Sequence, residues 1–176
     1  KNKILRTIIK VYISVMRGTP LMLQLLVVYF GPYYLFGMQI GGTYRFTAII
    51  LGFALNYAAY FAEIFRGGIQ SISRGQYEGA KVLGFTYKQT MWHIILPQVV
   101  KRVIPPLGNE TITLLKDTSL VYILAMNDLM RVTRAFVQRD FDTTPFLVAG
   151  IFYLVCTAVL TKILTYVENR YAVYEE

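Results

Sequence analysis

The stretch LGNETITLLKDTSL, residues 107–120, carries the polar side chains with the most chemical scope in this sequence. Asn109 and Glu110 stand at its start, and Lys116, Asp117, Thr118 and Ser119 follow. Ionisable groups in so apolar a chain are costly in lipid and face either a pathway or each other. Two readings stand: the polar lining of a substrate path, or hydrogen bonding between helices or subunits. Glu110 and Asp117 are seven positions apart and share a helix face. Lys116 and Asp117 are neighbours, so on a helix they point about 100° apart and do not simply pair. A carboxylate at position 110 suits a cationic side chain or an ammonium group, unless Lys116 balances it. Asn56 and Gln24 are two further polar residues inside apolar runs and are weaker pathway candidates.

Enzyme signatures are missing from the sequence. No Gly-x-x-x-x-Gly-Lys-Ser/Thr loop is present to cradle a nucleotide phosphate. The single histidine, His93, has no His or Cys cluster around it to make a metal site, and beside Trp92 it reads as an interfacial aromatic. The single cysteine, Cys156, allows no intrachain disulfide and reads as a small packing residue. No nucleophile–base pair stands out. The expectation is a chain with no catalytic residue, no metal and no cofactor of its own.

The elements that must position the polar residues are built for lipid. Residues 18–44, 46–62 and 143–161 contain no charged side chain, runs of 27, 17 and 19 residues. A bilayer core of about 30 Å takes about 20 such residues per helix. The net charge of +8 could suggest nucleic acid, but its placement argues for a membrane orientation instead. Lys1, Lys3, Arg6, Lys10 and Arg17 precede the first run, Arg66, Arg74, Lys81, Lys88, Lys101 and Arg102 follow the second, and Lys162 and Arg170 follow the last. Only Arg45, Arg131, Arg134 and Arg139 fall in the intervening loops. Because Lys and Arg collect on the cytoplasmic side, residues 1–18, residues 66–102 and the C-terminus are expected inside. The expectation is one transmembrane domain over residues 1–176 with spans at about 20–36, 44–65, 98–126 and 146–167.

Local signals refine this outline. Ile4, Leu5, Ile8, Ile9, Tyr12 and Val15 recur at helical spacing among basic residues, which predicts an amphipathic helix ended by Arg17-Gly18-Thr19-Pro20. Gly31-Pro32 predicts a kink, Arg66-Gly67-Gly68-Ile69 a turn, and residues 127–145 a charge-balanced loop. Pro97, Pro105 and Pro106 predict interrupted backbone bonding in the third span. Between the second and third spans, residues 75–90 predict one short cytoplasmic helix presented for docking or lying on the bilayer. Glu78 gives it a charge, Gly79-Ala80 give it close approach, and Gly84 permits a turn.

With these residues in hand, the sequence resembles the transmembrane permease subunits of binding-protein-dependent ABC importers. Their cytoplasmic signature is matched by Glu78-Gly79-Ala80, Gly84, Ile94, Leu96 and Pro97 at the family's spacing, with Gly79 in place of the usual Ala. RGTP (17–20), EIFRGGI (63–69), GQYEGAKVLGF (75–85), ILPQ (95–98), PPLGNE (105–110) and LLKDTSL (114–120) are similar to the polar amino acid branch. The resemblance implies an all-α polytopic membrane helical bundle, the type I importer permease fold, with a cytoplasmic coupling helix. It implies that Glu78, Gly79, Ala80, Gly84, Leu96 and Pro97 contact a separate ABC ATPase subunit, which binds the ATP and Mg. It also implies a second permease subunit (a homodimer or a close paralogue) and an extracytoplasmic solute-binding protein. The substrate it implies is a polar amino acid moved by alternating access across the bacterial cytoplasmic membrane, and the Glu110 carboxylate points to a basic one (arginine, lysine or histidine) before glutamine. The family carries one further helix before the first seen here, so a preceding helix is expected. A secondary transporter or channel without an ATPase is the competing expectation, since it too would use polar residues in a broken helix.

Overall fold

A computed structural model describes residues 2–172, and no strand occurs among them. Eight α-helices follow in order: α1 (Lys3–Gly18), α2 (Leu21–Phe36), α3 (Gly42–Gln70), α4 (Arg74–Val82), α5 (Tyr87–Gln89), α6 (Leu96–Asp117), α7 (Leu129–Asp140) and α8 (Thr144–Ala172). A π-helical turn, Thr90–Ile95, joins α5 to α6, and a 3-10 helix, Thr118–Leu124, continues α6. The helices α3 and α8 are long and apolar enough to cross a membrane, with mean hydropathies of 1.6 and 2.2 in their most apolar stretches. The pair α1–α2 meets the same test jointly, bent by 114° at its break.

The helix ends follow from local chemistry. Asn2 caps α1 by accepting from the Ile4 N–H at 3.2 Å. Pro20 then admits α2 but cannot extend α1, since it has no N–H to give. Gly37, at φ +64°, closes α2 with N–H bonds back toward the Pro32 and Tyr33 carbonyls. At the start of α7, the Asp128 carboxylate accepts from the N–H groups of Met130 and Arg131 at 3.1 and 3.0 Å.

Packing gathers the chain into two compact units. The first comprises, among the described residues, 2–60 and 113–158. Its core is Leu25, Ile49 and Leu124, with Leu21, Phe53 and Leu120 packed around them. Gly52 lets α3 close on α2 here, for a Cβ at that position would meet Leu25 Cδ2 at 2.7 Å. The second unit comprises, among the described residues, 61–112 and 159–172, centred on Ile72, Ile95, Val99 and Val103 with Ile64, Tyr77 and Met91 against them.

Four local expectations are corrected. Residues 66–69 do not turn: α3 runs through them to Gln70. Arg66 bridges along the helix to Glu63 and to Gln70, the latter at 2.6 Å, and the chain reverses only at Ser71–Ser73. Gly68 is small because Val99 and Val103 occupy the space a side chain would take. The third polar segment is not broken, since α6 is helical throughout its 22 residues, although Pro105 and Pro106 inside it have no N–H to give to the carbonyls four residues back. Pro97 lies where the π turn passes into α6, and Val99 and Val103 anchor the turns between it and Pro105 in the core. Residues 127–145 are not a loop but hold α7, whose Leu129, Val132, Thr133 and Phe136 recur at helical spacing. Finally, residues 75–90 are not one helix but α4, a turn and α5.

Gly68→Val should cost about 1–3 kcal/mol, because the added methyl groups overpack against Val99 and Val103. Thermal unfolding of the purified variant in detergent checks this. Gly67→Val, where a Cβ meets nothing within 4 Å, is the matched control and should change little beyond helix propensity.

Candidate functional site: a cavity beside Lys116 and an exposed turn

The polar residues near the end of α6 are placed by a change of helix type. Lys116 and Asp117 end the α-helix and Thr118 and Ser119 begin the 3-10 helix. Thr118 Oγ1 donates to the Leu115 carbonyl at 2.7 Å, which covers one of the carbonyls freed at the α-helix end. Asp117 Oδ2 accepts from the hydroxyl of buried Tyr57 at 2.9 Å, so α3 holds that carboxylate. Lys116 and Ser119 line a cavity of about 370 Å³ in the first unit. Its other wall is one face of α8, Phe146, Ala149, Gly150 and Tyr153, with Met130 from α7. The spacing of those four α8 residues is that of neighbours on adjacent helical turns. Tyr153 was not among the sequence candidates. In a charge-free run it reads as an ordinary apolar-phase aromatic, and only the fold brings it to Lys116.

Asn109 and Glu110 lie on α6 in the second unit, Asn109 exposed and Glu110 half-buried, and both are engaged by interactions of their own. Gln24 and Asn56 are brought together and buried. Asn56 Nδ2 donates to Gln24 Oε1 at 2.9 Å and to the Met16 carbonyl at 3.3 Å. Gln24 Nε2 has the Met16 carbonyl at 2.9 Å, the Thr19 carbonyl at 3.0 Å and Thr19 Oγ1 at 2.7 Å. Met16 is in the last turn of α1, where carbonyls lack helical partners. The two amides therefore satisfy the break between α1 and α2 and tie it to α3. Asn56→Leu leaves Gln24 Oε1 without this donor, and a loss of about 1–3 kcal/mol is expected from a buried polar group so stranded. The unfolding midpoint of the detergent-solubilised variant should fall. A loss of transport with an unchanged midpoint would instead make Asn56 a pathway residue.

The second candidate site is the segment from α4 to the start of α6. Ala80 is buried at 2% exposure, while Glu78 and Gly79 on the same helix face solvent. Gly84, at φ +79°, turns the chain after α4, its N–H bonding the Lys81 carbonyl at 3.1 Å while the Phe85 N–H reaches the Ala80 carbonyl at 3.0 Å. An L side chain resists that conformation, which accounts for glycine at this position. Thr86 restarts the helix with a capping box to Gln89. The turn leaves Val82 and Leu83 exposed at 87% and 74%, with Tyr87 and Trp92 also outward. Beneath it, Tyr77 of α4 and Met91, Ile94 and Ile95 of the π turn pack in the second unit's core. Leu96 is half-buried and Pro97 exposed at the first turn of α6. His93 stays at the surface, its Nδ1–H donating to the Gln89 carbonyl at 3.1 Å. The result is an apolar tip fixed from below and flanked by exposed charges, acidic at Glu78 and basic at Arg74, Lys81 and Lys88. No cluster of three or more metal-ligating side chains occurs among the described residues.

Comparison with known proteins gives this geometry its context. Residues 1–173 match the family described as binding-protein-dependent transport system inner membrane component. The chain is 41% identical over 160 residues to the arginine transport system permease protein ArtQ of Bacillus subtilis (strain 168), covering 90% of this chain and 72% of that protein. It is 40% identical over 166 residues to a protein of the same organism named "Probable glutamine ABC transporter permease protein GlnM", with 90% and 72% covered. A crystal structure of an amino acid ABC transporter with histidines superposes with a TM-score of 0.82 at 39% identity, over 92% of this chain and 74% of that one.

Proposed function

We propose that this chain, which belongs to the family of binding-protein-dependent transport system inner membrane components and has the type I importer permease fold, carries a basic amino acid inward through a bacterial cytoplasmic membrane. Its work is alternating access driven by a separate ABC ATPase subunit that binds ATP and Mg. The observation that carries the proposal is the exposed turn from Glu78 to Leu83, closed by Gly84 and braced by a buried core, in a chain whose sequence lacks a phosphate-binding glycine loop. An apolar tip suits an apolar groove in a partner that offers Glu78 a local cation, and bracing from below lets a push at the tip reach α6. Glu78, Gly79, Ala80, Gly84, Leu96 and Pro97 form this coupling element.

The substrate path runs past Asn109, Glu110, Lys116, Asp117, Thr118 and Ser119. Gln24 and Asn56 are left out of it, since their amides serve the α1–α2 join. Glu110 supports a cationic substrate, because a carboxylate in such a path favours a positive side chain. The remaining partners are a second permease subunit (a copy of this chain or a close paralogue), an extracytoplasmic binding protein that delivers the amino acid, and the lipid around α2, α3 and α8. The membrane is crossed several times, with α4 and α5 on the cytoplasmic side.

The test is uptake by proteoliposomes containing the permease with its ATPase subunit, supplied with the binding protein. Arginine uptake that needs ATP, and exceeds glutamine uptake, is expected. Uptake that proceeds without the ATPase subunit would sink the coupled reading and favour a secondary transporter or channel. Preference for glutamine would remove the basic substrate alone.

A further inference from the structure

We infer that α1 lies in the plane of the cytoplasmic leaflet and binds anionic phospholipid headgroups. At helical periodicity its side chains fall into three strips. Lys3, Arg6, Lys10 and Arg17 share one with Thr7 and Ser14, and no acidic residue occurs in the helix. Beside them Ile4, Ile8, Val11 and Val15 form an apolar strip, and all four are exposed. The third strip, Tyr12, Ile13 and Met16, is half-buried, with the Tyr12 hydroxyl donating to the Leu55 carbonyl of α3. Among the described residues, α1 therefore turns one strip to protein and leaves an apolar and a cationic strip uncovered.

The bend at the α1–α2 join and the charge of the free strip together select the occupant. The helix α2 is apolar and carries no charge, and α1 departs from it by 114°, nearer a right angle than a continuation. With α2 crossing the bilayer, a helix so bent runs along the membrane surface. There its apolar strip enters the acyl region by about 5–10 Å while the cations stay at headgroup level. Lys and Arg collect on the cytoplasmic side, where the leaflet carries anionic lipid. The cations are available to it: among the described residues Lys3, Arg6 and Lys10 have no ion-pair partner, and only Arg17 is otherwise engaged, its guanidinium 5.4 Å from the centre of the Tyr60 ring. Lipid held here has a route into the protein. The Met16 carbonyl in the last turn of α1 accepts from Gln24 of α2 and Asn56 of α3, all within one compact unit. Anionic lipid thereby sets where the α1–α2 join stands.

The contact needs no transport, so it stands or falls apart from the importer reading. The test attaches a bimane fluorophore to Ile8→Cys in the intact permease–ATPase complex, its other cysteines replaced by serine. Phosphatidylcholine liposomes then receive increasing fractions of brominated phosphatidylglycerol or of brominated phosphatidylcholine. Both should quench the probe. The phosphatidylglycerol midpoint should lie about 100-fold lower in mole fraction, from three free cations at about fivefold each. Lys10→Gln should raise that midpoint about fivefold, and Arg6→Gln with Lys10→Gln about 25-fold, with the phosphatidylcholine midpoint unchanged. Lys10→Arg should keep the preference. Both side chains are exposed, so these variants should fold. Equal midpoints for the two lipids would leave α1 in the bilayer with no headgroup preference and overturn the proposal. Quenching by neither lipid would overturn it as well, since water, a preceding helix or a second copy of the chain would then cover the apolar strip.

Discussion

In Glu78→Arg, ATP-driven uptake and substrate-stimulated ATP hydrolysis should fall by at least about 100-fold while the permease still folds. Folding should survive because Glu78 is exposed and has no hydrogen-bond or ion-pair partner among the described residues. Its backbone lies in α4, and arginine is as good a helix former as glutamate. Interior contacts of the segment are made instead by Tyr77, Ala80 and Ile95, which the substitution does not touch. The loss would arise in the assembled transporter. If Glu78 meets a cation of the ATPase when the α4 tip docks, reversal sets like charges against each other, and such a juxtaposition costs several kcal/mol. At about 1.4 kcal/mol per tenfold change, that exceeds a factor of 100. Glu78→Gln should be much milder, because it removes an attraction without adding a repulsion. Two measurements check the prediction: retention of the ATPase subunit on an affinity-tagged permease, and ATP hydrolysis in proteoliposomes. A reversed variant that still retains the ATPase and hydrolyses ATP on substrate addition would remove Glu78 from the docking surface.

The apolar tip offers a control for that experiment. Val82 and Leu83 are the most exposed part of the turn, and polar replacements there should weaken retention without reversing any charge. Gly84 is different in kind. Its positive φ means that Gly84→Val strains the turn itself, so both retention and thermal stability should change. Comparing these variants distinguishes a lost contact from a lost shape.

What the sequence disclosed, and what it hid, follows the range of the interactions. The apolar helices α2, α3 and α8 were legible because lipid demands an unbroken apolar run, and a run is local. The turn at Gly84 was legible because its backbone admits few residue types. The continuation of α3 through Gly67 and Gly68 was not. Glycine reads as a breaker, and its reason for being there is Val99 and Val103, some thirty residues away in the chain. The helix α7 was hidden by balanced charges, although Asp128 followed by Leu129, Val132 and Phe136 was a usable signal of a capped amphipathic helix. The π turn at Thr90–Ile95 left no local trace. The candidate site divides in the same way. Lys116 and Ser119 stood out as polar residues in an apolar chain, but Tyr153 acquires a role only through the packing of α8 beside α6's last turn. The buried bonds of Gln24 and Asn56 show the converse: polar residues that looked like a pathway are accounted for by one interrupted helix.

The second large effect is expected at Glu110. On the proposed path, Glu110→Gln removes a full negative charge while keeping size and helix propensity. A charge-assisted hydrogen bond to a cationic substrate is worth about 1.5–3 kcal/mol. Uptake of arginine at low concentration should therefore fall by about 10- to 100-fold, with glutamine uptake changed far less. The ratio is the informative quantity, because Glu110 is half-buried and has interactions of its own. A purely structural role would depress both substrates together and would lower the unfolding midpoint. A path role would move arginine alone. If Glu110→Gln left the arginine-to-glutamine ratio unchanged, the carboxylate would not select the substrate, and the case for a basic amino acid would lose its structural support.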